Sequence, residues 1–495
     1  MEGTEESSTD EVAVDFDERL PLRSKIAYGL SQASISLLMG IALGSAITFY
    51  YNVKLGLSEE WISLAWLLFA FWNAINDPLF GILQERIDTD WGRRIPVLRF
   101  GAPLYALTFI ICWFPFMGST QIALFWNLLL VLFLFDSMFT IVGLVQTALP
   151  AEMCITQEAR SNLSLYNVVL GSVGSLFAMI LPLILLTDES TTQLNPLFRP
   201  VMIILGTVAG VVLFLSSYAL TENEYARTEE TLNFKESMVE TLKNREFLAF
   251  EAMTFFREMA FAIVIGSIIY YIQYVLSLQG FFASIPLTAI FVVMLLFSFL
   301  ADRMVKQRGL KKVYVIGLML TSTGLILLFL SGNWLLAVML SLVAVGIGLA
   351  PAVLIWPPLL ADVMDYDEML TGKRRETTYA GMNALITKPA ISIATALFLL
   401  IISAFGFDST QTVQPDSAIF GIQMGYTLLP ALFFIISATT FWKWYKLDGK
   451  DWIAKKVELG KIRLQKERKY IERLQREGKI SKVYEKLYRG SQEET

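Results

Sequence analysis

The sequence predicts an all-α, polytopic membrane protein of twelve transmembrane helices arranged as two bundles of six. Three observations predict it. Apolar residues make up 55% of the 495 residues and charged residues only 17%, where about 25% is usual for a soluble chain; the mean hydropathy is +0.54. Apolar runs of the ~20 residues that cross a bilayer recur along the whole chain. Lys and Arg concentrate in alternate loops, as the positive-inside rule requires. A soluble enzyme, a disordered scaffold and a secreted disulfide framework are thereby excluded.

The runs lie near 26–51, 61–84, 96–117, 121–149, 163–187 and 199–220, then near 247–277, 281–301, 311–331, 334–361, 378–405 and 419–445. The expected organisation is an acidic tail (1–24), a first bundle (25–220), a charged linker (221–246), a second bundle (247–445) and a basic tail (446–495). Loops after even-numbered spans hold Arg86, Arg93, Arg94 and Arg99, then Arg303, Lys306, Arg308, Lys311 and Lys312, then Lys373, Arg374 and Arg375; the odd-numbered loops hold little beyond Lys54 and Arg199. Both termini are therefore expected in the cytosol, with the protein in the plasma membrane. The acidic, polar start predicts no cleavable signal peptide. The tail from Lys443 to Arg489 carries 16 basic residues against seven acids. It reads as a helix, either lying on an anionic leaflet or solvated.

Two counts restrict chemistry. With no histidine, His-based zinc sites, Ser-His or Cys-His pairs and imidazole relays cannot form. Cys112 and Cys154 fall toward opposite membrane faces, so no disulfide is expected. No cofactor and no nucleic-acid partner is expected.

The two halves repeat each other. Glu85-Arg86 precedes Gly92-Arg93-Arg94, and Asp302-Arg303 precedes Gly309-Leu310-Lys311-Lys312, at the same spacing. Internal duplication is expected of two-bundle transporters; the bland alternative is two positive-inside loops alike in composition. Acid–Arg followed by Gly-basic-basic is similar to the loop signature of the major facilitator superfamily. That resemblance implies a charge latch between helices, here Glu85, Arg86, Arg93, Arg94, Asp302 and Arg303. The cluster Asp362, Asp365, Arg374 and Arg375 is read as further latches closing the inner side.

Polar residues within spans are costly and mark function by default. Asn73, Asn76 and Asp77 share one face of span two, and Pro78 leaves the carbonyl of Ala74 without its helical donor. These hard oxygens suit Na⁺ or a protonatable Asp; the alternative is an Asp capping a kinked helix or pairing with a loop Arg. Lys388 lies about ten residues into span eleven, roughly 15 Å of helix rise, and needs an anion there. Asp77 is its expected partner. Asp136 reads as a second proton site, a substrate hydrogen-bonder or half of an inter-helix pair. Glu258 beside Arg257 reads as a local ion pair. Gln32, Ser36, Gln146, Tyr166 and Asn167 are expected to line a substrate pocket. Trp356 either stacks on a sugar ring or packs. Gly171, Gly174, Gly346 and Gly348 allow close helix approach.

Asn76-Asp77-Pro78 followed by Trp91-Gly92-Arg93-Arg94-Ile95-Pro96, together with Tyr28-Gly29, Tyr270-Tyr271 and Ala361-Asp362-Val363-Met364-Asp365-Tyr366-Asp367-Glu368 before Gly372-Lys373-Arg374-Arg375-Glu376, resembles the glycoside–pentoside–hexuronide:cation symporters. This is the melibiose-permease branch of the major facilitator superfamily, and the likeness covers about residues 24–445. It implies uptake of a sugar or glycoside coupled to H⁺ or Na⁺ by alternating access, in a protein working as a monomer. Asp77, Asn76 and Lys388 match the family's span-two cation ligands and span-eleven Lys. Asn73 stands where melibiose permease has a second carboxylate, and Ile35-Ser36, Gly143 and Val168 replace its galactoside-binding charges. Loss of that carboxylate favours H⁺ coupling or weak Na⁺ binding. The sodium-coupled lysophospholipid transporters are similar as well, so an amphipathic cargo is the alternative to a carbohydrate. A transporter-like sensor and a membrane enzyme are less favoured readings.

Overall fold

A computed structural model describes residues 18–87, 89, 91–187, 193–223, 241–372, 375–411 and 413–479. Within the first half, α1 (Leu22–Lys54), α2 (Glu59–Glu85), α3 (Ile95–Ile111), α4 (Gln121–Met153), α5 (Gln157–Leu186) and α6 (Phe198–Ala219) follow one another. The second half holds α7 (Arg245–Gly266 with Ile268–Val275), α8 (Gly280–Arg308), α9 (Leu310–Leu330), α10 (Leu335–Thr371), α11 (Glu376–Ala404) and α12 (Asp416–Trp444). Ten of these are long and apolar enough to cross a bilayer, the bent α7 makes an eleventh, and the shorter α3 occupies the third expected span. The protein is an integral, multi-pass membrane protein.

Helix starts are set by side-chain caps that satisfy otherwise orphaned N–H groups. Thr120 accepts from Ala123, Thr156 from Ala159, and Asn244 from Glu246 and Phe247. The first spans of the two halves are built alike. Each breaks late, around Leu43 in α1 and at Ser267 in α7, and each ends in a five-residue π turn, Tyr50–Lys54 and Tyr271–Val275. Such turns reposition side chains and are frequent at functional sites.

Helices pack mainly with others of their own half: α1 on α5, α3 on α6 and α2 on α4, then α9 on α10, α7 on α12 and α8 on α10. The principal seam between the halves is α2 running antiparallel to α11. The face where α1 begins and α12 ends is termed the terminal face.

On that face the repeated Gly-basic loops have a structural use that differs from the expected latch. Gly92 has φ 103°, and a Cβ there would meet the Glu222 carboxylate at 2.5 Å. That close approach lets Glu222 accept from the backbone N–H groups of Arg93, Arg94 and Ile95 at 2.7, 2.7 and 2.8 Å. An anion thus sits on the N-terminus of α3, where the helix dipole favours it. In the second half Gly309 has φ 84° and lies beside Asp448. Each loop therefore holds an acid that follows the last span of its own half. This places the duplication in three dimensions.

The C-terminal tail docks on the second bundle and is not solvated all round. In helix α13 (Lys450–Arg476) Trp452, Leu459, Ile471 and Leu474 are buried, while Ile453, Val457, Ile462 and Leu464 remain exposed. Trp452 donates to Asp362 at 3.1 Å, Lys456 pairs with Asp362, and Arg463 reaches Asp365 at 2.6 Å and Glu368 at 2.5 Å. Three acids three residues apart present one face of α10, and α13 answers it with cations. Residues 480–489 of the expected helix, residues 1–17 of the acidic tail and 224–240 of the linker lie outside the described residues.

Replacing Glu222 with Ala removes three charge-assisted bonds, each worth about 1.5–3 kcal/mol at most when charged groups take part. A loss of roughly 2 kcal/mol is expected, read as a lower thermal unfolding midpoint of detergent-purified protein. An unchanged midpoint would remove the cap from the account.

Candidate functional site

Span two delivers its polar face to the seam with α11. Pro78 lies inside α2, and Asn73 and Asn76 are buried while Asp77 is partly accessible. From α11, the Lys388 ammonium stands 2.5 Å from Asp77 Oδ1, 3.2 Å from Thr140 Oγ1 and 3.5 Å from Asn76 Oδ1. Thr140 donates in turn to Asp77 Oδ1 at 3.0 Å. Asn76 turns its amide NH₂ to Asp136, and Asn73 donates to the Lys388 carbonyl at 3.4 Å. Asn73 Oδ1 is buried without a hydrogen-bond partner.

Two carboxyl groups and one amine therefore share a site whose formal charge is −1 when all three are ionised, with amide and hydroxyl oxygens completing it. At this depth an unpaired charge is expensive, which ties the three together. The side chains of Lys388 and Asp77 remain 18% and 14% exposed, so neither charge is fully enclosed. Asp136 joins this cluster rather than the expected substrate set. Thr140 was missed in the sequence, although it lies one helical turn after Asp136 and so on the same face.

The other expected pocket residues divide. Gln146 donates to the Tyr28 carbonyl at 2.9 Å and to Asn167 at 3.0 Å, and Tyr28 donates back to the Gln146 carbonyl at 2.8 Å. That is a lock between α1, α4 and α5. Gln32 donates to Ser36 at 2.9 Å along α1, and Lys25 lies over the Tyr166 ring. Trp356 packs against Phe250 and the Arg257 guanidinium.

Among the described residues, the ion pairs made by the expected latch residues lie within one half or reach the tail helix. Arg94 pairs with Glu152 at 2.9 Å, Asp302 with Lys306 at 2.6 Å on its own helix, and Arg375 with Asp367. Arg93 holds Glu222 through its backbone, and Arg86 and Arg303 are exposed. Asp362 and Asp365 are taken by α13. Arg374 and the side chain of Glu85 lie outside the described residues.

Away from the terminal face the halves do meet. Tyr270 donates to Asn52 Oδ1 at 2.9 Å, Asn52 donates to Glu59 at 2.9 Å and to the Leu57 carbonyl at 2.8 Å, and Phe49 packs on Tyr270. Ser403 donates to Glu60 at 2.9 Å, and the Gly280 N–H to the Thr187 carbonyl at 2.8 Å. Between pairs of described residues, the hydrogen bonds that link the halves lie in this seal or along the α2–α11 seam. Asn52 and Glu59 escaped the sequence reading because they sit at span ends, where polar residues are ordinary.

A family of "MFS/sugar transport protein" description matches residues 27–449. The chain belongs to that family. Its members are membrane transporters, not enzymes, and the glycoside–pentoside–hexuronide:cation symporters implied by the motifs are its branch. The inner membrane symporter YicJ of Escherichia coli (strain K12) is 22% identical, over 91% of this chain and 98% of its own length. The glucuronide carrier protein homolog of the same organism is 23% identical, over 90% and 96%. The fold is similar to that of the crystal structure of a D-xylose-proton symporter, with TM-score 0.65, 13% identity, and 86% and 98% coverage.

Lys388→Met and Asp77→Asn are each expected to cost about 3 kcal/mol, since each leaves the other charge buried and unpaired. The double variant should lose much less than their sum, a coupling a thermal-unfolding double-mutant cycle measures. Strict additivity would mean the two groups do not act on each other.

Proposed function

We infer that this protein is a cation-coupled symporter of a sugar, glycoside or related carbohydrate, working by alternating access. The observation that carries the reading is the Lys388–Asp77 pair, which ties the two halves across their seam inside a site of formal charge −1. One monovalent cation, H⁺ or Na⁺, neutralises that site. Its arrival among Asp77, Asp136, Asn76 and Thr140 competes with the ammonium, weakening the tie that holds α11 to α2. The cation thereby alters the relative stability of the two orientations, which is what coupling requires.

The positive-inside pattern supports a cytosolic terminal face. The seal of Tyr270, Asn52 and Glu59 then lies outside, and the state described is closed outside with its inner latches unlinked. The family description and the relatives named as a symporter and a glucuronide carrier homolog support a carbohydrate cargo.

The test uses purified protein in sealed vesicles and a panel of labelled sugars, glycosides and uronates. Uptake of at least one is expected to depend on an imposed cation gradient. Alkalinisation driven by the sugar without Na⁺ identifies H⁺; strict Na⁺ dependence without a pH signal identifies Na⁺. Uptake indifferent to both gradients would overturn coupling, and uptake unaffected by Asp77→Asn would remove the site.

A further inference from the structure

We propose that Arg257, with Trp356, forms a seat for an anionic group of the transported solute, a carboxylate or sulfonate on a sugar ring, and that Glu258 occupies this seat as a stand-in when it is empty. The inference rests on the carbohydrate-transport reading and deepens it.

Arg257 lies twelve residues after Arg245, roughly 18 Å along α7, deep within the span. Its side chain is 9% exposed, and the guanidinium carbon lies 5.3 Å from the ring centroids of both Trp356 and Phe261. A planar cation held between aromatic faces is rigid, and guanidinium geometry matches a carboxylate or sulfonate better than an ammonium does. Its Nε is buried without a hydrogen-bond partner, and so is Nε1 of the neighbouring Trp356. Two unused N–H donors therefore belong to side chains in direct contact, the guanidinium carbon 5.3 Å from the Trp356 ring centroid. Buried donors are almost always satisfied, and an exception calls for a reason; a ligand is the reason offered here.

The anion that Arg257 does hold is Glu258, the next residue in the chain. Glu258 is the more exposed partner, 22% against 9%. A carboxylate at this depth faces water rather than hydrocarbon, because the latter would be prohibitive. Glu258 can therefore turn away from Arg257, toward the side on which it is already exposed, when another anion arrives. About two turns toward the terminal face, buried Glu251 receives the Asn383 amide at 3.0 Å and keeps Oε2 unpartnered. That oxygen is an acceptor suited to a sugar hydroxyl. A ligand with one anionic group and several hydroxyls meets the whole set; a neutral sugar leaves Arg257 with Glu258.

The two halves of the ion pair then have opposite effects, which a purely structural pair does not. Binding to detergent-purified protein is read as a rise in melting temperature, with glucuronate and galacturonate as anionic probes and glucose and methyl glucoside as neutral ones. The proteins compared are the wild type, Arg257→Gln, Arg257→Lys and Glu258→Gln, each first shown to unfold cooperatively without ligand. An anionic probe is expected to bind the wild type, to bind Arg257→Gln at least about tenfold more weakly, and to bind Glu258→Gln more tightly. Arg257→Lys should fall between wild type and Gln, since it keeps the charge and loses the fork. Equal affinity in all four proteins overturns the seat, as does weakening by both Gln variants alike. Response to the neutral probes alone overturns the seat and leaves the carbohydrate reading standing. Absence of response to either class, with no uptake of either in vesicles, overturns both.

Discussion

An ammonium carried by one half of the molecule and held by a carboxylate of the other is the interaction on which this structure turns. Hydrocarbon does not solvate either charge, so neither Lys388 nor Asp77 is at ease alone. Their pairing along α2 and α11 ties the two halves together across the seam. Asn76 and Thr140 extend the pair into a network that also enrols Asp136.

The remaining architecture keeps this tie under load. On one face the halves are sealed by Tyr270 on Asn52 and by packed aromatic rings at the ends of α1 and α7. On the terminal face the ion pairs of Arg94, Asp302, Asp362, Asp365 and Arg375 stay within one half or involve the tail helix. Glu222 sits on the start of α3, and α13 neutralises the acidic end of α10. Both halves are thus internally braced where they do not touch.

Most of the fold was legible from residue order. Twelve apolar segments appear where hydropathy puts them, since a spanning segment must be both apolar and helical to satisfy its backbone in lipid. The pairing of Lys388 with Asp77 was legible too, because a lone ammonium within a span has very few anions to choose among. The latches were not. Arg93 and Arg94 look like gate cations in sequence, yet their loop serves to grip Glu222, more than a hundred residues away. Thr140 and Asn52 carry no charge and announce nothing until a neighbour approaches.

The amino-acid order by itself determined the membrane, the number of spans, the duplicated halves and the charged residues that cannot be left unpaired. These are consequences of local composition and of one solvent rule, so they need no knowledge of neighbours. Only the tertiary structure decided which acid meets which cation. It brought Asp136 against Asn76 beside the Lys388–Asp77 pair, bound the tail helix to α10 and left the donors of Arg257 and Trp356 unspent. Such choices depend on distances between segments remote in sequence, which periodicity and propensity do not encode.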